Sequence, residues 1–267
     1  MDGDLVFDLG MHNGDDTDFY LRKGFRVVAV EADPMLAAKA EARFGAALAA
    51  GRLTIVNKAI ASAPGSVTFY RSENTIWSTL DPNRAAAVER KGSKNEAVTI
   101  EAITSSTLIA EHGAPYYMKI DIEGMDRIAL EGLRAVDERP KFISIEAERR
   151  DLQTCREELS LLTSLGYDRF KVVAQHTVQR QREPVPPREG AAAGAPLPES
   201  SGLFGRDLHG TWMDHQQALD AFRRPLLNHY LTGSDPLIKN RWARALLKRT
   251  GFRAGWYDIH ATKGSPP

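Results

Sequence analysis

The feature that most constrains the fold of this chain is an alternation of short apolar runs with helix-spaced stretches from the N-terminus to Gln175. Val6 and Phe7 open the first run, and RVVAV, LTIVNKAI, YYMKIDI, KFISIE and FKVVAQ follow it. Between them PMLAAKAEARF, DRIALEGLRAV and CREELSLLTSLGY space their apolar residues as helices do, with Leu159, Leu162 and Leu165 facing inward and Gly166 as a stop. Strands that alternate with helices form a mostly parallel sheet covered on both faces. The expected fold class is therefore α/β and Rossmann-like.

Two regions break the alternation. Residues 67–102, in which VTFY and AVTIEAI bracket SENTIWSTLDPNRAAAVERKGSKN, look like an excursion of strand and helix off the main sheet. Residues 182–201, REPVPPREGAAAGAPLPESS, have no periodicity and are expected to form a loop or flexible flap. Helical stretches around WMDHQQALDAFRR and PLIKNRWARALLKR follow, and then a last β-type run, WYDIHAT. A strand at FKVVAQ running parallel to its neighbours would end at the ligand edge, and an antiparallel WYDIHAT would start there. The chain then divides into residues 1–181 plus 256–267 as the main domain and residues 182–255 as a flap and helical cap. Trp212, Phe222, Tyr230 and Trp242 are available in that cap to meet a ligand or to form its core. Arg241, Arg244 and Lys248 make a basic face on its last helix, away from Ile238, Trp242 and Ala245.

Composition excludes some classes. Thirty-five basic residues balance thirty-five acidic ones, so no global charge draws the chain to nucleic acid or to an anionic membrane. The single cysteine, Cys155, cannot make an intramolecular disulfide or a cysteine-rich metal site. No apolar stretch is long enough to span a bilayer, and the acidic start MDGDLVFDLG is unlike a secretion signal. A soluble, cytoplasmic protein is expected.

The densest chemical signal is FDLGMHNGDD followed by VEADP. Asp8, Gly10 and Gly14 form D-x-G-x-x-x-G between a strand and a helix, and Glu31 ends the next strand. Glycines allow close backbone approach, and a carboxylate at the second strand tip can accept both hydroxyls of a ribose. The following helix opens with Asp15, Asp16 and Asp18, which cap a helix well but repel a pyrophosphate. S-adenosylmethionine has a ribose and two cationic groups and no phosphate, so it suits such a site better than a nicotinamide dinucleotide does.

With MKIDIEG and the terminal WYDIHA, these motifs resemble the FkbM-type methyltransferases, a branch of the class I S-adenosylmethionine-dependent fold. The resemblance covers roughly residues 5–176 and the last strand. It implies a seven-stranded sheet whose last strand runs antiparallel, and O-methylation of a hydroxyl on a sugar or other secondary metabolite. It also implies cofactor binding by Asp8, Gly10, Asn13, Gly14 and Glu31, with Asn57 to Ala59 near the adenine. Residues 182–255 depart from the family's short ending.

Lys119, Asp121 and Glu123 alternate along YYMKIDIEG and are expected on one strand face, where buried charges need partners or a task. Glu123 and Asp121 are candidates to position the acceptor and take its proton, Lys119 to pair with one of them, and Asp121 also to touch the cofactor. His12 is the second candidate base. Glu146 and Glu148 end the fifth strand on one face, and with Asp121 and Glu123 they offer oxygen ligands to a divalent cation, although the resemblance requires none and no metal is expected. The alternatives are a methyltransferase-like domain that binds without catalysis and a nicotinamide-dependent oxidoreductase, which would lack its G-x-G-x-x-G turn.

Overall fold

A computed structural model describes residues 3–147, 151–197, 200–233, 237–249 and 254–264, except the side chain of Lys248. Glu148 and that lysine side chain lie outside the described residues. The chain runs β1 (Leu5–Leu9), α1 (Asp15–Arg22), β2 (Arg26–Val30), α2 (Pro34–Arg43), α3 (Gly45–Ala49), β3 (Leu53–Val56), β4 (Ala59–Ile60) and β5 (Gly65–Ser72). It continues through α4 (Pro82–Arg90), β6 (Asn95–Ile103), α5 (Ser105–His112), β7 (Tyr117–Ile120), α6 (Asp126–Gly132), β8 (Phe142–Glu146), α7 (Leu152–Ser164) and β9 (Arg169–Ala174). The last elements are α8 (His215–Ala221), α9 (Arg223–Thr232), α10 (Arg241–Arg249) and β10 (Tyr257–Thr262).

Seven strands form the main sheet in the order β3-β2-β1-β7-β8-β10-β9. All run parallel except β10, which is antiparallel to both of its neighbours. The alternation predicted from the sequence thus produces the expected sheet. The order reverses direction between β1 and β7, and a crevice at such a switch point is where open α/β sheets hold ligands.

The two faces bury different material. Leu5, Phe7, Leu9, Met118, Ile120, Ile143 and Ile145 pack with Leu130, Leu159, Leu162 and Phe222 from α6, α7 and the α8–α9 junction. On the other face Val6, Ala29 and Tyr117 meet Phe19 and Tyr20 of α1 and Phe204. Period-two alternation sends every second strand residue to each face, so Asp8 and its register partner Lys119 share the second face with Val6.

Three local departures from the sequence expectations have physical causes. LTIVNKAI is two strands, because the chain turns at Asn57, and β4 joins a separate three-stranded sheet with β6 and β5. YYMKIDI stops as a strand at Ile120, since Asp121 begins a turn in which Glu123 takes a left-handed φ of 49°. Glu123 therefore does not continue the strand face of Lys119.

The third departure concerns residues 182–255. The chain on either side of this segment comes together at the ligand edge, where the Gln175 N–H donates to the Trp256 carbonyl at 2.8 Å. Its Pro/Ala/Gly tract, however, runs down the α1 face and is fastened there. The buried Lys23 ammonium donates to Glu183 and, at 2.9 Å, to Asp207, while Tyr116 donates to Glu189 and Phe204 stacks on Tyr117 at 4.5 Å. The described part of this tract and the residues after it thus wrap against the sheet through buried charges and an aromatic stack. The helices α8 and α9 place Phe222 in the core, Trp212 packs beside Phe142, and Trp242 is 86% exposed. Among the described residues no helix is long and apolar enough to cross a membrane.

Candidate functional site

A cavity of about 550 Å³ opens at the carboxyl ends of β1, β2, β7 and β8, within the usual size of a small-molecule site. Its floor is the turn after β1. Gly10 has φ +85°, and a Cβ there would lie 1.9 Å from the Asp121 carbonyl oxygen. Gly14, at φ +82°, would drive a Cβ to 2.6 Å from the Phe44 ring. Both glycines are required by protein packed against the turn, and only Gly10 also lines the cavity.

The β1 turn meets the β2 tip through Glu31. The His12 N–H donates to Glu31 Oε2 and the Asp33 N–H to Oε1, each at 2.8 Å. Each carboxylate oxygen keeps a further lone pair for a ligand hydroxyl. Burial pushes the Glu31 carboxyl up to about 7, although the two N–H groups pull it down. Asn57 donates its Nδ2 to the Glu31 and Ala32 carbonyls, so it braces this strand tip from outside the cavity lining. Lys58, Ala59 and Ile60 beside it do line the cavity, as do Asn13 and His12. The His12 ring Nε2 is 2.8 Å from Thr75 Oγ1 of the excursion.

Lys119 is the centre of charge beneath the floor. Its Nζ lies 3.4 Å from Asp8 Oδ1, 3.4 Å from Asp16 Oδ2 and 3.7 Å from Asp121 Oδ2, and donates to the Gly10 carbonyl at 3.2 Å. Burial alone would lower this ammonium, but Asp8, Asp121 and Asp16 outweigh it and hold its pKa well above the usual lysine value. Asp8 is fully buried, accepts from Thr17 Oγ1 at 2.6 Å and does not reach the cavity. Its position under the turn makes it a support of the floor.

Glu123 projects from the β7 turn. Its Oε2 accepts from Arg84 of α4 at 2.6 Å, and its carbonyl accepts from Thr79 Oγ1 at 2.8 Å. Burial, with Asp121 and Glu146 near by, raises its carboxyl to about 8 despite Arg84. The excursion that supplies Arg84 also lines the cavity with Phe69, Thr75, Ile76, Ser78, Thr79 and Leu80. Among the described residues this excursion supplies more of the cavity wall than the Pro/Ala/Gly tract does. Among the described residues of 182–255 Ser200 and Ser201 line it, and Ser201 donates through its N–H to Asp16 at 2.8 Å.

The sequence reading missed several lining residues. Asp16 reads as a helix cap but is buried, faces the cavity and has its carboxyl raised to about 6 by burial. Asp33 is hidden by its role as N-cap of α2. Asp258 carried a signal: in WYDIHAT it alternates with Tyr257 and Ile259, so one acid of an interior strand had to face away from the apolar side. Among the described residues seven carboxylates line the cavity, from Asp16, Glu31, Asp33, Asp121, Glu123, Glu146 and Asp258, against two lysines, Lys58 and Lys119. Such a surface attracts cations and repels phosphates.

The sequence profile of the methyltransferase FkbM domain matches residues 8–169. No curated protein matches the chain. A solved methyltransferase FkbM from Methylobacillus flagellatus KT is 20% identical with a TM-score of 0.44, and the match covers 64% of this chain and 40% of that one. The chain therefore spans about two fifths of that protein's length. S-adenosylmethionine-dependent methyltransferases from Thiobacillus denitrificans and Geobacter sulfurreducens, both in complex with S-adenosyl-L-homocysteine, are 12% and 13% identical with TM-scores of 0.40 and 0.39. Those matches cover 98% of this chain in each case and 86% and 85% of theirs.

Proposed function

The chain belongs to the methyltransferase FkbM domain family, and on that premise we propose that its cavity binds S-adenosylmethionine and serves methyl transfer to a hydroxyl of a sugar or other secondary metabolite. The observation that carries the reading is the excess of carboxylates around a cavity whose β2 tip presents both oxygens of Glu31. A ribose diol fits the lone pairs that Glu31 keeps, and the sulfonium and ammonium fit the surrounding acids. A dinucleotide would set its pyrophosphate against Asp16.

When bound, the cofactor supplies an electrophilic methyl carbon and leaves as a neutral thioether. The protein's own work is to hold, orient and take a proton. Gly10, His12, Asn13 and Glu31 hold the nucleoside, while Lys58, Ala59 and Ile60 border it. Lys119 neutralises the buried Asp8 and Asp16 and so fixes the turn that carries them. Glu123 faces the cavity with a carboxyl raised to about 8, a value suited to taking a hydroxyl proton near neutral pH. Arg84 and Thr79 hold it in place, and the excursion limits access of water. Asp121 stands beside Glu123 to position the acceptor.

A calorimetric titration with S-adenosylhomocysteine, NAD and NADP tests the reading. Binding of S-adenosylhomocysteine alone supports it. Binding of NAD or NADP in its place sinks it. Product analysis with hydroxyl-bearing acceptors then tests O-methylation.

A further inference from the structure

Three neighbouring strands bring a carboxylate to the ligand edge on one face. Asp258 of β10 stands directly opposite Glu146 of β8. β7 pairs with β8 up to Ile120 opposite Ile145, so Asp121 comes level with Glu146 in the next step. Lys119, Ser144 and His260 lie two residues back along the same face, each opposite the next. Like charges placed directly opposite each other across strands destabilise a sheet. Glu123 adds to the group, since one oxygen each of Asp121, Glu123 and Glu146 lie within 4.8 Å of one another.

Among the described residues, two of the cations at this edge are tied to particular acids. Lys119 is shared among Asp8, Asp16 and Asp121, and Arg84 holds Glu123. Asp258 gives an independent indication. It is only 7% exposed and lines the cavity, yet among the described residues no hydrogen bond or ion pair reaches its carboxylate. A buried carboxylate without a partner is costly. Packing does not explain an acid there, because Tyr257 and Ile259 of the same strand serve the apolar core.

We propose that this edge is a divalent-cation site for a hard ion such as Mg²⁺ or Mn²⁺, with Asp121 and Glu146 as oxygen ligands and Asp258 supplying a further negative charge beside them. Ions of this kind take one or two carboxylates and keep other positions for water or substrate oxygens. The role of the ion, though not its binding, rests on the methyl-transfer reading. An acceptor hydroxyl on the ion is made more acidic, and Glu123 alongside takes its proton. The oxygen then forms its bond to the methyl carbon as the carbon–sulfur bond breaks, and that electron pair stays on sulfur.

The test uses the full chain without cofactor or acceptor. Mn²⁺ is titrated and its free fraction followed by electron paramagnetic resonance, with Mg²⁺ as competitor, for the wild type, Glu146→Gln and Asp258→Asn. Mn²⁺ uptake that Mg²⁺ displaces, weakened roughly 10–100-fold by either substitution, is expected. No uptake at millimolar Mn²⁺, or uptake that both substitutions leave unchanged, overturns the site. A parallel titration with S-adenosylhomocysteine separates the two ideas. Mn²⁺ uptake without cofactor binding supports the site and sinks the methyl-transfer reading, whereas cofactor binding without Mn²⁺ uptake overturns the site alone.

Discussion

The His12 N–H donates to Glu31 Oε2 at 2.8 Å, which ties the turn after the first strand to the tip of the second. Because Glu31 also accepts from Asp33, it is fixed before any ligand arrives. Removing a charged partner of a ligand hydroxyl pair costs about 1.5–3 kcal/mol, so Glu31→Ala is expected to weaken S-adenosylhomocysteine binding roughly 10- to 150-fold. Unchanged affinity by calorimetry would remove Glu31 from the site.

The same residue sets a pH dependence. Burial raises its carboxyl from 4.5 to about 7 in the ligand-free protein, so the folded state holds a proton that the unfolded state has released. Stability of the ligand-free protein should therefore fall as pH rises from about 4.5 to 7, and Glu31→Gln should flatten that fall. Cofactor affinity runs the other way, since the hydroxyls need the ionised acceptor. It should rise between pH 6 and 8 in the wild type and stay level in Glu31→Gln. The check is a pair of profiles, urea midpoint and dissociation constant, on the two proteins.

Glu123→Gln removes the proposed base while keeping the side-chain shape and the Arg84 contact. Turnover on a competent acceptor should drop by about 10²–10⁴, with S-adenosylhomocysteine affinity within a few-fold. The wild-type rate should fall as pH drops below about 8, where Glu123 becomes protonated. His12→Asn serves as the control, because its ring is engaged with Thr75. Full activity of Glu123→Gln combined with an inactive His12→Asn would transfer the base role to His12.

Lys119 is expected to act through structure. Lys119→Met leaves Asp8 and Asp16 buried without their shared cation, an arrangement that costs about 3–5 kcal/mol. Urea unfolding should show that loss, and adding Asp16→Asn should recover part of it by removing one of the stranded charges. A stability equal to the wild type would show that the ammonium is not the floor's support.

The wrap formed by residues 183–197 and 200–207 yields a contrasting outcome. Lys23→Met leaves Glu183 and Asp207 without their shared cation, held by backbone N–H groups, at a cost of up to about 3–5 kcal/mol. None of the three lines the cavity, so the dissociation constant for S-adenosylhomocysteine, measured below the unfolding transition, should stay within a few-fold. A collapse of cofactor binding with the fold intact would place the wrap in the cofactor site.

The sequence by itself determined the elements and the broad site. Hydrophobic period, turn glycines and the acid after RVVAV are local signals, because they follow from where the chain must alternate, bend or end. They were enough to predict a mostly parallel sheet and to mark Gly10 and Glu31, which line the cavity, while the antiparallel last strand was an expectation of the family resemblance. Tertiary structure alone decided how charges separated in sequence meet. Lys119 gathers acids from two other elements, and Asp258 comes to face Glu146 only through strand register. It also decided where the two irregular regions lie. Buried partners for Lys23 and Tyr116 drew the Pro/Ala/Gly tract onto the α1 face, and the ion pair of Arg84 with Glu123 brought the excursion over the cavity. Composition shows that such charges exist, but the cost of burying each one unpaired is what selects its partner, and that cost is set only once the fold removes them from water.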